Sequence, residues 1–179
     1  LVGSEMCIRD SPSRREALRR IAFMPQSASA PRNLSVLETV TYLTWMRGAP
    51  WSRARQQARQ ALALVDLEKM SDTRCKALSG GMQRRVWLAQ ALASEADVLL
   101  LDEPSTGLDP RQRQLMLTAL HRAAETGATI VLSSHVLEDI ADLADHLVVL
   151  THGTVAFDAA MPESLDSTWF LDVTDGVRP

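Results

Sequence analysis

Two stretches of the chain, Val98-Leu99-Leu100-Leu101 and Thr129-Ile130-Val131-Leu132, are unbroken apolar runs that each end at a polar residue. Such runs are expected of strands buried on both faces of a parallel sheet, where an alternating pattern would push polar groups into a covered face. Other apolar positions recur at helical spacing. Ser35-Val36-Leu37-Glu38 has the spacing of a capping box, and Val36, Leu37, Val40, Leu43 and Met46 follow as one helix face, closed by Gly48 and Pro50. Ser52 opens a second helix, in which Ala54, Ala58, Ala61, Leu62 and Leu64 alternate with arginines and glutamines. Upstream, Ser13-Arg14-Arg15-Glu16 predicts a short helix through Arg20 that feeds the strand Ile21-Ala22-Phe23, ended by Met24-Pro25-Gln26. Residues 27–33 read as a loop.

Beyond Leu67, strands and helices alternate. A helix is expected from Met82 to about Ser94, and another from Asp109-Pro110, which supply an N-cap and a first-turn proline, to Glu125, with Gly127 as its stop. A helix over 136–144 and strands at 146–150 and 154–157, joined by His152-Gly153, complete the alternation. One short helix is expected over 162–168. The run from Ser35 to about Leu67 is therefore a helical insertion in a strand-bearing α/β chain.

With 179 residues, 46% hydrophobic and 23% charged, the chain can bury one domain-sized core. Its formal charge of −3 gives no electrostatic case for nucleic acid as a partner. The cysteines, Cys7 and Cys75, offer no disulfide framework. No apolar run reaches the length needed to cross a bilayer.

The candidate chemistry sits at element ends. Asp102 and Glu103 follow the first apolar run, placing two acids at the carboxyl end of a strand, where ligands collect in open α/β sheets. Leu78-Ser79-Gly80-Gly81 precedes a helix, so a hydroxyl and two close-approach backbone positions lie where an anion is favoured. Each element alone is also an ordinary strand end or helix cap. The ordered set Leu78-Ser79-Gly80-Gly81-Met82-Gln83, Val98 to Asp109 and Ser133-Ser134-His135 resembles the back half of an ATP-binding cassette (ABC) ATPase.

That resemblance implies a P-loop NTPase-like, mostly parallel α/β sheet with an inserted helical subdomain at 35–94. It also implies ATP and Mg²⁺ as cofactors. Asp102 would hold the metal and Glu103 would act as general base. Gln26 would sense metal and water, and His135 would contact the γ-phosphate. Ser79, Gly80 and Gly81 would bind the ATP held by a second ABC ATPase domain, and Asp109 would cross that dimer. A transmembrane permease subunit would be the other partner, with the chain peripheral on the cytoplasmic face of the membrane. Residues 33–40 resemble ABC-2-type exporter subunits more than importers. The ribosome-acting relatives usually carry Asn-His where Thr106-Gly107 stand here, and the chromosome-acting ones carry a long coiled coil. Arg84 and Arg85 fit the basic ending of the family's signature motif, which begins here at Leu78-Ser79-Gly80-Gly81, without an assigned role. Tyr42 and Trp45 are expected to pack into the core, or else to border a groove for the membrane partner.

The sequence holds no Gly-x-x-x-x-Gly-Lys-[Ser/Thr]. Residues 1–11 match the translation of a sequencing-library adapter, so the expected division is 1–11 non-native, 12–158 the carboxyl-terminal part of the ATPase domain, and 159–179 an extension. Without the phosphate-loop portion the polypeptide would be inactive as it stands, and the strand at 129–132 would form an exposed edge.

Overall fold

The computed structural model describes residues 12–27 and 30–176; the reading of residues 1–11 lies outside them. The chain divides after Ser133 into two units. In the first, helix α1 (Pro12–Arg19) leads into β1 (Ile21–Met24), followed by α2 (Val36–Met46), α3 (Trp51–Leu64), α4 (Gly80–Ala93), β2 (Val98–Asp102), α5 (Pro110–Glu125) and β3 (Thr129–Ser133). The second holds α6 (Leu137–Leu143), β4 (His146–Thr151), β5 (Thr154–Ala160) and α7 (Ser167–Thr174).

The three strands of the first unit form a parallel sheet in the order β1-β2-β3, with Phe23, Leu100 and Val131 in one row across it. Alternate residues of β2, Leu99 and Leu101, are buried together with Ala22 and Met24 of β1. The expectation of burial on both faces is corrected here. Phe23 and Val131 are 53% and 54% exposed, so the opposite row is an uncovered apolar face among the described residues.

The capping box at Ser35 forms in both directions: Glu38 N donates to Ser35 Oγ at 3.1 Å and Ser35 N to Glu38 Oε2 at 2.7 Å. The Ser35 amide holds the Glu38 carboxyl below the usual carboxylate range. Helix α3 starts at Trp51, one residue before the expected Ser52, with no side-chain cap. Its small face, Ala54, Ala58 and Ala61, allows close packing of α2 and α4 upon it. Helix α4 is buried over most of its circumference because it also packs on β1. Buried Arg85 donates from Nη1 to Val65 O at 2.9 Å and Asp66 O at 3.2 Å, which satisfies carbonyls at the end of α3.

In the second unit β4 and β5 are antiparallel, and His152 and Gly153 both take positive φ, the pattern a two-residue hairpin turn requires. Leu147, Val149, Trp169 and Val173 form its core, with Phe157 edge-on to Trp169 at a centroid distance of 5.0 Å. The helix expected at 162–168 lies instead at Ser167–Thr174. Asp166 accepts from Trp169 N at 2.7 Å, so the helix opens at this acid, four residues beyond Pro162, rather than at the proline.

Candidate functional site

β2 carries Asp102 to its carboxyl end, where its register partner is Ser133, the last residue of β3. Ser133 Oγ donates to Asp102 Oδ1 at 2.7 Å and accepts from Glu103 N at 3.0 Å. One hydroxyl therefore organises both acids. The chain turns immediately afterwards, and Glu103 takes φ +50°, a left-handed conformation that costs an L residue about 1–2 kcal/mol. Thr106 closes the turn, its hydroxyl donating to Glu103 Oε2 at 3.0 Å and its N–H to Glu103 O at 3.3 Å. Strain and hydrogen bonds together aim the Glu103 side chain from the strand end.

Gln26 follows β1 by two residues and is exposed. Its carbonyl accepts from Arg84 Nη2 at 2.6 Å, while Nη1 of the same guanidinium donates to Thr106 O at 2.7 Å. Met24, Gln26, Gly80, Gln83, Arg84 and Trp87 line a cavity of about 280 Å³ beside this bridge.

Ser79 is the N-cap of α4, accepting from Met82 N at 3.3 Å. Ser79 and Gly80 are exposed, and a Cβ on Gly80 would meet nothing within 4 Å. A Cβ on Gly81 would stand 2.5 Å from Gln112 Oε1. Asp109 caps α5 by accepting from Gln112 N at 2.8 Å, so this acid anchors the residue that lies over Gly81.

The family model described as "ABC transporter" matches residues 4–106. The chain belongs to that family. Among curated ABC relatives, the Nod factor export ATP-binding protein I of Burkholderia orbicola (strain AU 1054) is 34% identical over 175 residues, which cover 97% of this chain and 58% of the relative. The daunorubicin/doxorubicin resistance ATP-binding protein of Streptomyces peucetius is 34% identical over 81% of this chain and 44% of its own. The chain thus spans about half the length of these relatives. An ABC transporter solved in an inward-facing conformation superposes with a TM-score of 0.74 at 27% identity, covering 87% of this chain and 64% of that one. An ATP-binding subunit of an ABC transporter gives a TM-score of 0.76 at 24% identity, covering 86% and 63%.

Within this ABC domain the first unit brings together Asp102 and Glu103, and joins Gln26 to the signature helix through Arg84. Asp109 and Gly81 meet through Gln112. His135 belongs to the second unit, where it is exposed at the start of the turn in which Ser134 Oγ accepts from Val136 N at 3.0 Å. Sequence reasoning missed Ser133, Thr106, Arg84 and Gln112 as parts of the site. Thr106 carried a usable signal, a hydroxyl three residues after an acid in a turn. In the sequence Ser133 is only the lead-in to His135, and its contact with Asp102 depends on strand register.

Proposed function

We propose that the full-length gene product hydrolyses ATP as the energising subunit of an ABC transporter, acting as a dimer of ATPase domains on a separate transmembrane permease. The observation that carries this reading is the Asp102–Ser133–Glu103 constellation, with Thr106 holding the base. Asp102 Oδ1 is committed to Ser133, and among the described residues no three His, Cys, Asp or Glu side chains converge. This donor set fits Mg²⁺, which takes one or two carboxylates and fills its octahedron with phosphate oxygens and water. Asp102, with Gln26, would hold the ion; bound there, it would neutralise charge developing on the transferred phosphoryl group.

The Glu103 carboxylate takes a proton from the attacking water, its Oε2 fixed by Thr106. The exposed Ser79 hydroxyl and Gly80 backbone at the start of α4 offer an anion site to the ATP of the second domain, and Asp109 faces that domain. His135 contacts the γ-phosphate. The Nod factor export protein among the relatives supports an exporter of unspecified cargo. None of the described helices is long and apolar enough to cross a membrane, consistent with a peripheral subunit on the cytoplasmic face.

Exposed Tyr42, Trp45 and Trp51 form an aromatic row with centroids 5.7 and 6.0 Å apart, against the expectation that Tyr42 and Trp45 pack inside. That row supports the permease-docking reading. The 179 residues by themselves contain no phosphate-cradling loop, and we expect no turnover unless the gene supplies one.

The test is phosphate release from MgATP by the full-length gene product. Glu103→Gln should retain ATP binding and slow turnover by about a hundredfold or more. Retained hydrolysis would remove Glu103 from the role of base.

A further inference from the structure

We infer that Arg84 is a positioning residue for hydrolysis, tying the Gln26 loop and the Glu103 turn into one rigid unit. This rests on the ATPase reading above. The guanidinium reaches 58 residues back to Gln26 O at 2.6 Å and 22 residues forward to Thr106 O at 2.7 Å. Thr106 in turn donates to the Glu103 carboxylate at 3.0 Å and to the Glu103 carbonyl at 3.3 Å. A continuous chain of hydrogen bonds therefore runs from the loop after β1, through α4, to the side chain of the base.

Three observations favour a positioning role over an incidental contact. Two different nitrogens of one planar group serve two loops, and only the fork of an arginine satisfies both at once. Both acceptors are main-chain carbonyls, so the bridge fixes backbone rather than a mobile side chain. Arg84 Nε is buried with no hydrogen-bond partner. Leaving that donor unmade costs stability, which the two hydrogen bonds from Nη1 and Nη2 offset. Arg84 lies in the second turn of α4, whose first turn carries Gly80 and Gly81. A displacement of that helix end would therefore shift the Glu103 carboxylate.

Arg84→Lys and Arg84→Gln in the full-length gene product test this, read by steady-state kinetics and by amide hydrogen exchange. Lysine reaches one carbonyl but not both. Arg84→Lys should lower kcat about tenfold or more while leaving KM for ATP within about twofold, as expected when a base is misplaced and nucleotide binding is untouched. It should also speed exchange in peptides spanning 24–27 and 103–108, with protection of α2 and α3 unchanged. Arg84→Gln should be slower still. Unchanged exchange in both peptides would show that Arg84 holds neither loop and would overturn the inference. Faster exchange with unchanged kcat would overturn it equally, reducing Arg84 to a structural tie. A wild-type protein that binds ATP without turnover would overturn the hydrolase reading itself, and this role with it, whatever the exchange shows.

Discussion

Ser133 Oγ sits 2.7 Å from Asp102 Oδ1, donating across the β2–β3 register to the acid proposed to hold Mg²⁺. Its lone pair meanwhile accepts from Glu103 N at 3.0 Å. Removing the hydroxyl frees Asp102 to rotate and leaves the Glu103 N–H with the Ser133 carbonyl alone, at 3.1 Å. Ser133→Ala should therefore raise the Mg²⁺ concentration needed for half-maximal turnover about tenfold, the usual cost of losing an outer-shell partner of a metal ligand. Ser133→Thr keeps the hydroxyl and should restore most of the loss. A Mg²⁺ titration of ATP turnover checks both, and an unchanged midpoint in Ser133→Ala would separate this serine from the metal.

The positive φ of Glu103 sets stability against activity. Glu103→Ala and Glu103→Gly both remove the carboxylate and the Thr106 hydrogen bond, so their difference isolates the backbone. Glycine adopts φ +50° without a Cβ clash, and Glu103→Gly should be the more stable variant by about 1 kcal/mol. Chemical denaturation of the two proteins measures this directly. Equal stabilities would mean that the turn relaxes out of the left-handed region once the side chain is gone.

The sequence made the elements legible where local chemistry decides them. Ser35 and Glu38, Asp109 and Pro110, and His152-Gly153 each determine their own cap or turn from neighbours three residues away or fewer, and each forms as expected. The acids at 102–103 were legible for a similar reason, since a strand that ends in charge must present it at the sheet's end. Lateral relationships were not legible. Whether Val131 is covered, which residue Ser133 faces, and where a guanidinium as long as that of Arg84 lands all depend on neighbours tens of residues away in the chain. The helix at 167–174 was misplaced because Pro162 is as good an opening signal as Asp166, and packing of Trp169 and Val173 on the hairpin decides between them.

Acid should loosen the helical insertion through Glu38. Its carboxyl is held below the ordinary range chiefly by the Ser35 amide, so the charged form is favoured in the folded state. A depressed folded value contributes stability that is present above the unfolded carboxylate range and is lost as pH falls through the folded value. The thermal midpoint should accordingly fall as pH drops below the ordinary carboxylate range in the wild type, and more shallowly in Glu38→Gln, which cannot titrate. Parallel pH profiles for the two proteins would remove Glu38 from the acid transition. Because Arg74 also approaches Glu38, at 3.4 Å between exposed side chains, added salt should flatten the difference only slightly; the amide bond, not the ion pair, dominates.

Gly80 and Gly81 make opposite demands on the fold, and this separates a folding requirement from a ligand requirement. A Cβ at Gly80 meets nothing within 4 Å, whereas at Gly81 it would stand 2.5 Å from Gln112 Oε1. Both residues lie in the first turn of α4, where alanine is the better helix former by up to about 1 kcal/mol. Gly80→Ala should therefore be neutral or slightly stabilising by thermal melting. Any loss of ATP turnover in that variant then reports the approach of a phosphate to the backbone, since no atom of the described residues lies within 4 Å of the methyl. In Gly81→Ala the obstruction is the tip of a flexible side chain, so Gln112 should swing away with little loss of stability. The α5 start remains capped by Asp109 on the Gln112 amide. Gly81→Ala combined with Gln112→Ala should melt no lower than Gln112→Ala alone. If the double variant folds well and still fails to turn over ATP, the need for glycine at position 81 belongs to the nucleotide; if it regains turnover, the need belongs to Gln112.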